Sequence, residues 1–218
     1  MSSHQQLVTA LAAQATPVKS LMNNNLLALL WLLSSVIYCL AVIHWLAPIR
    51  ATAFSQLMTE PRFLLEMLLG FAAIVLTTFT AFQQTIPGAL RPALKAAASL
   101  TVLLWVALNV YGLIDPALEP STEGSRHYCV YETLIYALPP LFFAGLCARQ
   151  RFVLKTGSTG FALGLAAGLI PAWYMQIACM YAPDHMLKFH LAPALVVACL
   201  GAFFLKLKSA TQDPSNSH

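Results

Sequence analysis

The sequence predicts an all-α integral membrane protein, a bundle of six transmembrane helices with both termini in the cytoplasm. Three observations carry that expectation. Of 218 residues, 59% are hydrophobic and 9% are charged, whereas a soluble domain carries about 25% charged residues. The mean hydropathy is +0.70, and six stretches approach the ~20 apolar residues that cross a bilayer. Most of the few charges fall between those stretches or in the tails rather than within them. This composition excludes a soluble enzyme and a nucleic-acid-binding domain. The formal charge of +4 therefore reads as basic loops beside a bilayer, with no direct nucleic-acid contact.

Residues 1–25 read as an N-terminal tail with a short amphipathic helix. Ser3 and Gln6 have capping-box spacing, Leu7, Val8, Leu11 and Ala15 form an apolar stripe, and Pro17 ends it. A helix of a dozen residues is marginal alone in water. The stripe is either a face for a protein groove or part of a frayed terminus, and its polar side lacks the Lys and Arg of a lipid-surface anchor. No cleavable signal peptide is expected in this tail. The six spans are expected at 26–46, 63–82, 93–114, 129–148, 160–181 and 189–208, which makes 26–208 the membrane domain and 209–218 a polar C-terminal tail. The connections between spans are too short for a folded soluble module.

Orientation follows from the basic residues. One side collects Lys19, Arg91, Lys95, Arg149, Arg151, Lys155, Lys206 and Lys208, and the other only Arg50, Arg62, Arg126 and Lys188. The richer side is expected to be cytoplasmic. Gly160, Gly164 and Gly168, four residues apart in the fifth span, mark a close helix–helix contact, within the chain or in a dimer. Pro139, Pro140, Pro171 and Pro193 remove backbone donors inside the last three spans, so local kinks are expected.

Sorting the intramembrane polar groups by depth isolates the functional candidates. Cys39, His44, Glu66, Asn109, Cys129, Glu132, Gln176, Cys179 and His190 all fall near the outer ends of their spans. Ionisable residues inside spans mark functional sites by default, and their one-sided distribution suggests a pocket opening outward rather than a transport path. Cys129 and Glu132 share a helix face, with His127 just upstream and Cys179 at matching depth. Two such thiols can pair in an oxidising compartment, bind a soft metal or simply pack, and His127, His185 and His190 lie near in sequence. Cys147 and Cys199 read as packing residues. Glu66 is expected to pair with Arg62 or to snorkel. No Cys-x-x-Cys motif is present.

Two segments resemble a known family. Residues 7–19, Leu-Val-Thr-Ala-Leu-Ala-Ala-Gln-Ala-Thr-Pro-Val-Lys, resemble the N-terminal signature of the NrsF family. The run Cys129-Val-Tyr-Glu132-Thr-Leu-Ile-Tyr136-Ala-Leu-Pro139-Pro140 resembles its Cys-x-x-Glu signature. The resemblance implies an anti-sigma factor of the bacterial inner membrane whose partner is an extracytoplasmic-function sigma factor. It implies that Leu7, Val8, Leu11, Pro17 and Val18 contribute to sigma binding, and that Cys129 and Cys179, with Glu132, sense an outer metal or oxidant. Cys129, Cys179 and His127 are the candidate metal ligands. No resident cofactor and no catalysis are expected, only a transient soft divalent ion as signal. Two other classes compete with a regulator: a membrane thiol-disulfide oxidoreductase and a small transporter.

Overall fold

A computed structural model describes residues 3–14, 21–46 and 49–210. Its elements are α1 (Ser3–Gln14), α2 (Asn24–Leu46), α3 (Ala53–Thr59), α4 (Pro61–Gln83), α5 (Pro92–Tyr111), α6 (Cys129–Arg149), α7 (Thr156–Ala178), α8 (Pro183–Met186), a π-helical turn (Leu187–Leu191) and α9 (Ala192–Ala210). No strand occurs among the described residues. Six helices are long and apolar enough to cross a membrane: α2, α4, α5, α6, α7 and the continuous run Pro183–Leu207.

The bundle is built around α7. Its apolar window is 83% buried, against at most 50% in any other span, and it packs on α2, α4, α6 and α9. Small residues make this possible. Lipid tails are as apolar as leucine, so helices in a bilayer associate through close packing rather than hydrophobicity. Gly160, Gly164 and Gly168 lie against the α9 backbone at Gly201, Val197 and Ala194. A Cβ on Gly168 would stand 2.8 Å from the Ala194 Cα, and one on Gly164 would run into the Val197 carbonyl oxygen. The glycine stripe is therefore an internal seam.

Two prolines leave a backbone carbonyl without its usual donor, and a neighbouring helix supplies a replacement. Pro193 cannot bond the Phe189 carbonyl, and the Thr133 hydroxyl of α6 approaches it at 3.4 Å. Pro140 likewise releases Tyr136, whose carbonyl lies 4.0 Å from the Cys39 thiol of α2. Such re-satisfaction by side chains is what lets membrane helices carry proline.

The spans differ from expectation at their ends. The third stops at Tyr111 rather than 114, ahead of Asp115-Pro116, where the residue before proline is driven out of helical geometry. The fifth stops at Ala178, because Cys179 is extended (φ −97°, ψ 176°). The last begins at Pro183, in the N1 position that suits proline, six residues before the expected start. The short α3 was not expected. It is separated from α4 because Glu60, preceding Pro61, is extended at φ −109°, ψ 95°.

One end of the bundle is tied together by polar contacts. Arg151 donates to the Asn24 side chain and to the Met22 carbonyl, and Asn24 Nδ2 donates to the Phe82 carbonyl at 3.1 Å. The α6–α7 connection thus grips the start of α2, immediately below the N-terminal tail. Cys129 and Cys179 lie at the opposite end.

Candidate metal centre

Four donors converge at that opposite end. Cys129 is the first residue of α6, Cys179 the residue that caps α7, His185 lies in α8 and His190 in the π turn. All four donor atoms lie within 4.8 Å of one another. The two Sγ atoms are 3.4 Å apart, and His185 Nε2 is 3.5 Å from Cys179 Sγ. A tetrahedral ion with Zn–S and Zn–N bonds of about 2.3 and 2.0 Å separates its ligands by about 3.3–3.8 Å. Two thiols and two imidazoles at this spacing fit such an ion with small movements.

The π turn is what aligns the histidines. Residues five apart on an α-helix lie about 140° apart around the axis. An i→i+5 turn brings them back toward one face. The His185 and His190 rings meet edge to face with centroids 5.1 Å apart, and Phe189 stacks on His185 at 4.6 Å.

His190 is also held in the tautomer a metal needs. It is 1% exposed, and its Nδ1 lies 3.0 Å from Thr133 Oγ1. The Thr133 hydroxyl has one proton, shared between the Cys129 carbonyl at 2.9 Å and the Phe189 carbonyl at 3.4 Å, so Oγ1 accepts from Nδ1–H. The lone pair then sits on Nε2, which has no hydrogen-bond partner. A hydrogen bond to the far nitrogen that fixes the ring and tautomer of a histidine is the usual support of a metal ligand. Cys179, in the connection between spans, is pushed below the ordinary thiol value. The hydrogen bond with Cys129 is the main cause, burial opposes it, and His185 and His190 add to it. Metal binding uses the thiolate.

The other sequence-derived residues fall elsewhere. His127 is exposed against Tyr128 and lies outside the four-donor group, which takes His185 and His190 instead. Glu132 is not a donor in the group either, and forms an ion pair with Arg126 at 3.1 Å. Glu66 does not pair with Arg62. Arg62 bridges to Asp115 at 2.7 Å, while Glu66 accepts from Gln176 at 2.8 Å and from Tyr181 at 3.4 Å. Leu7 and Val8 are exposed on α1. Leu11 lies in the same helix, with nothing described of its side chain, and Pro17 and Val18 lie outside the described residues.

A second polar group, which includes a residue not singled out as functional from sequence, supports the chain around Cys179. Arg50 is 2% exposed. Its backbone N–H donates to the Ala178 carbonyl and its Nη1 to the Cys179 carbonyl, each at 3.3 Å. The guanidinium lies over Phe63 and Tyr181, 5.6 and 5.9 Å from the ring centroids. Burial lowers the Arg50 pKa, but a guanidinium stays charged in proteins. Gly124, at φ 76°, lets the preceding loop approach: a Cβ there would meet Arg50 Cβ at 3.1 Å and the Ala178 carbonyl at 3.3 Å.

The model of the NrsF family, described as negative regulator of sigma F, matches residues 11–207. No curated protein matches the chain, and no solved structure does.

Proposed function

Because the chain belongs to the NrsF family, described as negative regulator of sigma F, we propose that it is an inner-membrane anti-sigma factor. In this reading it sequesters an extracytoplasmic-function sigma factor at the cytoplasmic face. It releases that factor when a soft metal ion or an oxidant reaches Cys129 and Cys179. The observation that carries the sensing role is the convergence of Cys129, Cys179, His185 and His190 within 4.8 Å, with His190 Nε2 buried and unpartnered. Output through the N-terminal helix is supported by its exposed Leu7 and Val8, which suit a helix-in-groove contact. The cytoplasmic placement of that helix rests on the excess of Lys and Arg on its side.

The donors come from different spans. Cys129 heads α6, Cys179 ends α7, and the histidines open the last span. Closing on an ion at about 2.0–2.3 Å draws those three helix ends together. An oxidant would instead take two electrons from the thiols, with loss of two protons, and join the sulfurs. In either case α6 and α7 move at the end remote from Arg151, which holds Met22 and Asn24 beneath the tail. A ligand shifts the equilibrium only by its differential affinity for the two states, and four donors in place of two supply more of it.

The test uses membranes containing the full chain and its sigma factor, with the bound fraction measured before and after Cd²⁺ or diamide. Cys129→Ser and Cys179→Ser should retain the sigma factor and fail to release it with either agent. His190→Ala should lose the response to Cd²⁺ and keep that to diamide. Release from both Ser variants at the wild-type dose would sink the sensing role. Trapping of a periplasmic protein as a mixed disulfide with Cys129 would instead favour the oxidoreductase reading.

A further inference from the structure

We propose that the groove between α6, α7 and α9 binds one anionic phospholipid, with an acyl chain in the groove and the phosphate on Arg149. The groove encloses about 460 Å³, within the range of ligand pockets, and lies toward the end of the bundle that carries Arg151. Leu138, Phe142, Leu163 and Phe204 are among its walls, and Arg149 is its one polar lining residue. A cavity this apolar on the flank of a membrane bundle suits a hydrocarbon chain.

Arg149 sets the class of headgroup. It is exposed at the end of α6, and among the described residues it has no ion pair or side-chain hydrogen bond. The α6 dipole accounts for a cation in the last turn, but not for an apolar groove leading up to that cation. The connection from Arg149 to Lys155 also holds Arg151 and no acid. Basic pockets between transmembrane helices are the usual seats of anionic headgroups. An apolar partner helix would fill the walls and leave Arg149 without a counter-charge, so a phospholipid fits both features.

Gly145 is a wall of the groove, and a Cβ built on it meets nothing within 4 Å. A larger side chain there can therefore occupy the groove without displacing α7 or α9.

The experiment takes the full chain in mild detergent and titrates phosphatidylglycerol against phosphatidylcholine of the same chains, counting retained lipid by native mass spectrometry. The wild type should retain one lipid per chain and prefer phosphatidylglycerol by roughly fivefold, the size of one basic contact with an anionic headgroup. Arg149→Gln should remove that preference while chain-dependent retention persists, and Gly145→Phe should reduce retention of both lipids. Arg149→Gln changes an exposed side chain, so its fold is not in question if Gly145→Phe proves unstable. Equal retention of the two lipids by the wild type would overturn the proposal, as would an undiminished preference in Arg149→Gln. A wild-type dimer that Gly145→Phe converts to monomer would also overturn it, by assigning the groove to a second copy.

Discussion

Thr133 is a small residue with a large share in the site. Its hydroxyl bonds the Cys129 carbonyl and His190 Nδ1, and so fixes one ligand by its backbone and another by its tautomer. Thr133→Val keeps the shape and removes both bonds, so Cd²⁺ or Zn²⁺ affinity by calorimetry should fall 10- to 100-fold, the usual cost of losing the group that orients a metal ligand. His127→Ala should leave that affinity unchanged. Choosing among His127, His185 and His190 was beyond the sequence, because proximity along the chain favoured the residue two before Cys129, whereas the π turn and Thr133 favour His190. The depth argument did find both cysteines and His190, since an ionisable side chain in an apolar span is conspicuous wherever the helices pack. Glu123 offers a pH test in the loop. Hydrogen bonds from Thr52, first its hydroxyl at 2.8 Å and then its backbone N–H, hold the carboxyl below the ordinary glutamate value. Its stabilising contribution is complete above that ordinary value and is lost as pH falls through the depressed one. Protection of the Thr52 amide, relative to its intrinsic exchange rate, should fall over that acid range, and Glu123→Gln should make that protection independent of pH there.

At the scale of elements, the six spans were legible because their apolar runs exceed anything a soluble core requires, and because the glycine and proline positions constrain packing. The π turn was not legible. No residue pattern distinguishes Leu187–Leu191 from α-helix. Deleting Lys188 offers a direct test, since it lies in the π turn and its side chain makes an exposed ion pair with Asp184. Removing one residue should convert the turn to α-helix and leave the two histidines four residues apart, about 40° around the axis and still on one face. Metal affinity should then stay near that of the intact chain, with helix content by circular dichroism unchanged, and a loss equal to that of a variant lacking His190 would mean that the π turn itself is required. The α7–α9 seam makes a different prediction. Gly164→Leu must push against the Val197 and Ala198 backbone, and overpacking of this kind costs about 1–3 kcal/mol or more. The melting temperature in detergent should fall, and if the variant melts like the wild type the seam is looser than these contacts imply.

At the scale of the whole molecule, the thiols and the Arg151 grip stand at opposite ends of helices of 21 and 23 residues, about 30–35 Å apart. Any signal from one to the other must therefore travel as a movement of helices. Arg151→Gln removes the charge-assisted hold on Met22 and Asn24 and leaves the donor group untouched. The metal should bind this variant with wild-type affinity, while sigma factor retention no longer responds to it. A coupled response in that variant would mean that the movement reaches the tail by another route.

The glycine seam divides the donors unequally. At Gly160, Gly164 and Gly168, α7 lies directly against the α9 backbone, so the two helices form one closely packed pair. That pair carries Cys179 at the end of one helix, and His185 and His190 at the head of the other. Cys129 belongs to α6, whose lower half borders the same pair across an open groove rather than a closed seam. In the proposed reading, an ion at the centre would take three ligands from that pair and the fourth from α6. A lipid in the groove would lie beside α6, so if the proposed sensing and lipid binding both hold, the lipid composition of the membrane would bear on how readily the metal site moves that helix.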